Sequence, residues 1–318
     1  MGQNRMCRFG VVMILWVLVL FLLASCGGEP AGPGEGWTEF TDALGRQVVL
    51  AERPTRVAAL LGSFADVWLL AGGEICAAPE DAAADFGLDL SGAVHLGGAH
   101  SPNLEALLSA EPEFVLASAS TAAHVEMRSV LEGMGIPVAY FDVDCFGDYL
   151  DMLKICTEIT GRDDLYEQNG LALQAQIDAV RDAVEAGLPG EEKRTVLLLR
   201  ASSGFVKAKG SEGTILGEML ADLGCINIAD RDGTLLESLS VESIIRRNPY
   251  RIFVVTMGSD TAQAMENLSR MMDENPAWGQ LDAVKNGRLH VMDRRLFNIK
   301  PNGKWAEAYE TIKDILLG

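Results

Sequence analysis

Asn103-Leu104-Glu105-Ala-Leu-Leu-Ser-Ala-Glu-Pro112-Glu-Phe-Val-Leu returns in outline downstream as Ser240-Val241-Glu242-Ser-Ile-Ile-Arg-Arg-Asn-Pro249-Tyr-Arg-Ile-Phe-Val-Val. In both stretches a glutamate stands seven residues before a proline that leads into an apolar run. A polar residue followed by an acid marks the first turn of a helix, and the apolar run reads as a buried strand. Such an echo predicts two similar lobes, each presenting one carboxylate at an equivalent place. Taken singly, each glutamate also suits the positive end of a helix dipole, an effect of about 0.3–1 kcal/mol. Placed in both lobes, the pair suits docking onto a two-fold partner carrying arginines, because Arg–carboxylate contacts are strong and directional.

The pattern around each copy agrees. Upstream, strands are expected at 56–61, 74–78, 94–96, 114–118 and 137–141, with helices at 64–71, 104–110, 122–134 and 146–159. Such alternation argues for parallel or mostly parallel sheets covered on both faces. Downstream, strands at 195–200, 252–256 and 289–292 alternate with helices at 214–223, 241–247 and 304–317. Between the two halves lies the longest helix, about 163–186, whose Leu173, Ile177, Val180 and Val184 paint one apolar stripe. At 1.5 Å per residue it is roughly 35 Å long, enough to link two lobes. The fold class is α/β: two lobes with mostly parallel sheets, an N-terminal one at 37–161 and a C-terminal one at 191–318, joined by a rigid helix within 162–190.

The N-terminus carries an address. Arg5 and Arg8 precede an uncharged apolar run from Gly10 to Leu23, and Leu23-Ala24-Ser25-Cys26 follows. That is the layout of a secretory signal peptide, residues 1–25, with an uncleaved anchor helix as the alternative. The Gly-, Pro- and Glu-rich segment 26–36 reads as a flexible tether. The remainder is expected outside the cytoplasm.

Composition narrows the function. Of 318 residues 48% are hydrophobic, ample for large cores, and the formal net charge is −19. Nucleic-acid binding is therefore not expected, since neutralising phosphates needs a basic face. Cys76, Cys145, Cys156 and Cys225 are widely spaced and no CxxC occurs. They read as buried free thiols, with a Cys145–Cys156 disulfide as the alternative. His95, His100, His124 and His290 are scattered without metal-ligand spacing, so neither a metal site nor a bound cofactor is expected.

From Trp37 onward the chain resembles the periplasmic-binding-protein family that serves vitamin B12, haem and ferric-siderophore importers. Thr41-Asp42-Ala43-Leu44-Gly45-Arg46 and Pro54-Thr55-Arg56-Val57 are similar to its opening hairpin and first strand. Phe205-Val-Lys207-Ala-Lys209-Gly210 and Gly224-Cys225-Ile226-Asn227 are similar to a segment of its C-terminal lobe. The resemblance implies that Glu105 and Glu242 meet arginines of an ABC importer's membrane subunits, and that lobe motions are small. Cys26 resembles the acylated cysteine of a bacterial lipoprotein, implying a lipid anchor at the membrane.

A small-molecule ligand is expected between the lobes, where the C-terminal ends of strands face each other. Ser63, Phe64, Ser120, Phe146, Arg200, Ser203, Phe205, Lys207 and Phe297 are the candidate ligand contacts. Arg200 ends an apolar strand, so it reads either as a clamp on a ligand carboxylate or phosphate or as part of a salt bridge within the lobe. By the resemblance, an iron chelate is the first choice of ligand, a corrinoid the second and haem the third. Tyr140 and His100 are the candidate haem ligands. A tethered hydrolase is the rival class, but no G-x-S-x-G, Walker or HExxH motif occurs. No catalytic residue is assigned, and Asp142 and Asp144 read as solvated loop acids. A ligand sensor without a transporter is a third reading, which the paired glutamates disfavour.

Overall fold

The computed structural model describes residues 38–258 and 260–318. The leader, Cys26 and the tether lie outside the described residues.

Strands β1 (Thr38–Thr41) and β2 (Gln47–Leu50) form an antiparallel hairpin. Its turn is tied by Asp42, whose Oδ1 accepts from the backbone N–H groups of Leu44 and Arg46. Gly45 takes the left-handed conformation there, with φ 75°, a region in which a side chain is strained.

The first lobe is built on β3 (Val57–Ala59), β4 (Ile75–Ala78), β5 (Val94–His95), β6 (Phe114–Ser118) and β7 (Val138–Phe141). They form a wholly parallel sheet in the order β5-β4-β3-β6-β7. The second lobe carries β8 (Thr195–Ala201), β9 (Val206–Lys209), β10 (Ile226–Asn227), β11 (Arg251–Thr256) and β12 (Leu289–Met292). Here β10-β8-β11-β12 run parallel, while β9 pairs antiparallel with β8. Every residue of β6 and of β11 is buried, as a strand covered on both faces requires.

The structure departs from the expected elements at three places. The helix expected over 122–134 is broken into Ala122–Glu126 and Arg128–Gly133, because the Val130 N–H bonds back to the Met127 carbonyl in a tighter turn. Strand β9 was not among the expected strands: its Val-Lys-Ala-Lys alternation buries Ala208 and turns the lysines to the other face. The helix Thr261–Glu274, started by Asp260 accepting from the Gln263 N–H, was not among the expected helices, although Ala264, Leu268 and Met271 fall at helical spacing.

The connecting rod runs from Asp163 to Gly187 as one helical course with a π-helical stretch, Glu167–Leu171, inside it. The Tyr149 hydroxyl donates to the Asn169 carbonyl at 2.8 Å, and Asn169 donates in turn to the Leu70 carbonyl, pinning the bulge to the first lobe. Ile177, Val180 and Val184 are buried and Leu173 half-buried, so the stripe faces inward. The rod packs on the closing helix Trp305–Leu317, where Asp222 accepts from Arg181 of the rod and, at 2.6 Å, from the Tyr309 hydroxyl. One hydrophobic core runs without a break from Phe64 and Phe141 of the first lobe through Phe146, Val180 and Trp305 to Leu198, Phe253 and Met219 of the second. Cys76, Cys156 and Cys225 are free thiols, so the Cys145–Cys156 bridge is not made.

Candidate functional site

The loops after β3 and β7 meet those after β12, so the C-terminal ends of the two sheets face each other. The side-chain amide of Asn302 donates to the Ser63 carbonyl at 2.8 Å and to Asp66 Oδ2 at 2.9 Å. Asn302 is held in the left-handed region, φ 56°, by these bonds. Arg294 spans the lobes to Asp85 with a two-pronged contact of 2.6 and 2.9 Å. Arg295 approaches Asp66 at 3.6 Å and lies 4.2 Å from the centre of the Phe86 ring. One side of the cleft is therefore latched by polar contacts.

Phe64, Phe146 and Phe297 do not form exposed aromatic walls, as the sequence led us to expect. Each is buried in the continuous core, Phe64 edge-on to Phe141 at 6.1 Å and Phe146 edge-on to Trp305 at 5.9 Å. The reason is the joined core: aromatic rings in the first or last turns of helices here fill the junction between lobes. Ser63 is likewise buried and meets the second lobe through its backbone. Ser120 and Ser203 are exposed. Phe205 is 36% exposed, which makes it the aromatic surface left from the expected set. Its turn is closed by Ser202 Oγ, which accepts from the N–H groups of Gly204 and Phe205. Lys207 is exposed and its ammonium lies 5.2 Å from the centre of the Phe205 ring.

Arg200 is half-buried, and its Nε is fully buried without a partner. The salt bridge within the lobe, one of its two expected roles, is not present among the described residues. Strand parity fixes its direction. Val196 and Leu198, two and four residues before it, belong to the core shared by both lobes, whereas Leu197 and Leu199 belong to the separate outer core. Arg200 thus projects from the inner face at the cleft end of β8. Burial lowers its pKa.

Lys300 is a residue the sequence reading missed. Half-buried, its ammonium stands 5.9 Å from the centre of the Phe64 ring. Burial pushes its pKa down, and Asp144, Asp142 and Asp148 pull the other way. Burial raises the pKa of Asp144, with Asp142 adding to the effect and Lys300 opposing it. Glu218, across the cleft, is raised by burial too, and Asp144 is among the charges that raise it further. A lone lysine in a loop has no periodicity to betray it; only the Lys300-Pro301 step marks the segment as an ordered turn.

The haem candidates are poorly placed. Tyr140 is buried with its hydroxyl donated to the His124 carbonyl at 3.0 Å, and His100 is exposed. No group of three metal-ligating side chains stands together among the described residues.

Glu105 and Glu242 are both exposed, in the first turns of the helices Leu104–Ser109 and Val241–Arg247. Asn103 caps the first helix by accepting from the Ala106 N–H, and Ser240 caps the second by accepting from the Ser243 N–H. Ser240 also donates to Glu242 at 3.2 Å. Neither carboxylate is in an ion pair among the described residues. The Asn103 N–H bonds to the Leu96 carbonyl just past β5, so Glu105 lies at the cleft-facing edge of its sheet. Val241 shares a hollow of about 450 Å³ with Gly204, Phe205 and Val206 at the end of β8, so Glu242 lies at the matching edge of the second.

Comparison with known proteins adds to this geometry. The sequence profile of the family described as periplasmic binding protein matches residues 48–296, across both lobes. A putative ABC transporter substrate-binding lipoprotein, YhfQ, of Bacillus subtilis (strain 168) is 22% identical over 316 residues, covering 93% of this chain and 94% of that one. The Fe(3+)-citrate-binding protein YfmC of the same organism is 23% identical over 296 residues, covering 89% of each. The crystal structure of Staphylococcus aureus SirA complexed with staphyloferrin B shares the fold, with a TM-score of 0.66, 22% identity, and coverage of 88% of this chain and 97% of that one.

Proposed function

The chain belongs to the periplasmic binding protein family, and we propose that it captures an iron chelate between its lobes and hands it to an ABC importer. The observation that carries this reading is the family match across both lobes, joined to a cleft whose facing loops come from the C-terminal ends of both sheets. Relatives named for Fe(3+)-citrate and staphyloferrin B support iron chelates over other cargo. The poor placement of Tyr140 and His100 argues against direct haem ligation.

In this reading Arg200, Lys207, Phe205, Ser120 and Ser203 contact the ligand, and Lys300 lies at the deep end. Glu105 and Glu242 engage arginines on the two membrane subunits, one from each lobe. Cys26 carries the lipid that keeps the protein at the outer side of the cell membrane. The protein binds and releases its cargo unchanged, without catalysis.

Native mass spectrometry of the protein isolated from its own host tests the assignment. A bound ferric complex of small mass is the expected result. A corrinoid or haem mass in its place refutes the iron reading.

A further inference from the structure

We infer that the cleft selects chelates that carry free anionic oxygens, carboxylates above all, and that Arg200, Lys207 and Lys209 are the receptor for them. This rests on the iron-chelate reading and names its substrate class.

The antiparallel pair β8–β9 sets Arg200 opposite Lys207 and Leu198 opposite Lys209. Residues opposite each other share a face, as do residues two apart, so all three cations stand on one side of the ladder. Like charges directly across strands are unfavourable. The usual remedy is an acid between them, and here there is none: no ion pair reaches any of the three among the described residues. The Arg200 side chain also lacks any hydrogen bond or ring contact there, and its Nε is sealed from solvent. By contrast, Arg46, Arg181, Arg247 and Arg294 each hold a carboxylate. Lys209 is half-buried, and burial lowers its pKa, with Arg200 and Lys207 adding to the effect.

In a chain of net charge −19, an unpaired cluster of cations at the cleft end of a strand is a strained arrangement. An incoming anion relieves it in three ways. It supplies the missing acceptor to a planar, five-donor guanidinium, screens the cross-strand repulsion, and replaces water lost on burial. A chelate whose oxygens are all neutral or committed to the metal relieves none of these.

The test is equilibrium dialysis of the detergent-solubilised full chain against isotope-labelled ferric citrate, an uncharged ferric trihydroxamate and iron-free citrate. Ferric citrate is expected to bind well ahead of the trihydroxamate, and more weakly as salt rises. Arg200→Gln should weaken it about 10- to 100-fold, the loss of a charged hydrogen bond. Lys209→Gln, at a half-exposed site that spares folding, should weaken it by about threefold to tenfold. Thermal unfolding of the free Arg200→Gln protein should occur at a higher temperature than wild type.

Binding of the trihydroxamate as tight as that of ferric citrate, with both variants unaffected, overturns the inference and leaves the iron reading standing. Binding of iron-free citrate alone, lost in the variants, keeps the anion receptor and removes the iron reading. Binding of none of the three overturns both.

Discussion

Arg294 and Asp85 lie on opposite lobes, and the two terminal nitrogens of the one meet the two carboxylate oxygens of the other at 2.6 and 2.9 Å. Both side chains are about three-quarters buried, at 25% and 20% exposed, so the contact is little screened by water. Asp85→Ala should therefore lower stability by about 1–3 kcal/mol, leaving a guanidinium whose Nε already lacks a partner. Hydrogen exchange in the helix Gly62–Leu70 should quicken with it. An unchanged denaturation midpoint together with unchanged exchange would show that this latch does not couple the lobes.

Replacing both Glu105 and Glu242 by arginine should abolish uptake of labelled ferric chelate by cells. Each lost Arg–carboxylate contact is worth about 2–5 kcal/mol, and the reversed charge adds repulsion. Affinity for the free chelate should stay within about threefold of wild type, since both residues are exposed outside the cleft. A matching collapse of affinity would falsify the docking assignment.

Tyr309→Phe removes the hydroxyl that donates to Asp222 at 2.6 Å while keeping the ring. A cost of about 1–2 kcal/mol in urea unfolding is expected, because Asp222 keeps Arg181 but loses a buried donor. The m-value should not change. No measurable loss would mean that the closing helix is held to the rod by apolar packing alone.

His124 is buried, accepts the Ser118 N–H on Nδ1 and lies 2.7 Å from the Ala99 carbonyl through Nε2, so it is held neutral. Burial sets its pKa below the ordinary value of 6.5. The unfolded chain then binds the proton first, so stability contributed by His124 is whole above about pH 6.5 and is lost as pH falls toward the folded-state value. Asp144 and Glu218 act in the opposite sense: their raised pKa values make them favour the folded state as pH falls toward 3.8 and 4.5. In denaturant titrations, His124→Asn should flatten the decline below pH 6.5. Asp144→Asn should raise the midpoint at neutral pH and leave that decline in place. A His124→Asn protein with the wild-type slope would show that other groups carry it.

How much of this was legible in the sequence depends on whether a feature is periodic. Strand 114–118, helix 241–247 and strand 289–292 emerged with the bounds they were expected to have, because proline, caps and apolar runs punctuate them. The rod's stripe was legible as well, but not its π-helical stretch, which depends on Tyr149 reaching Asn169 from another helix. Phe64, Phe146 and Phe297 sit in the first or last turns of helices, yet burial there is set by the junction of two cores, which no local pattern encodes. Lys300 and the Arg294–Asp85 pair are tertiary facts of the same kind. Arg200 was singled out for ending an apolar strand; what the chain alone left open was that no acid among the described residues meets it.

The unbroken seam of apolar side chains between the halves has a mechanical consequence. Prising the molecule apart by even 200 Å² of that seam would cost about 5 kcal/mol in newly wetted surface. In the proposed function, cargo would then enter and leave past exposed rim side chains such as Phe205, as through a notch rather than a jaw. Ejection then becomes work for the importer, and the proposed contacts at Glu105 and Glu242 would supply the leverage that thermal motion does not.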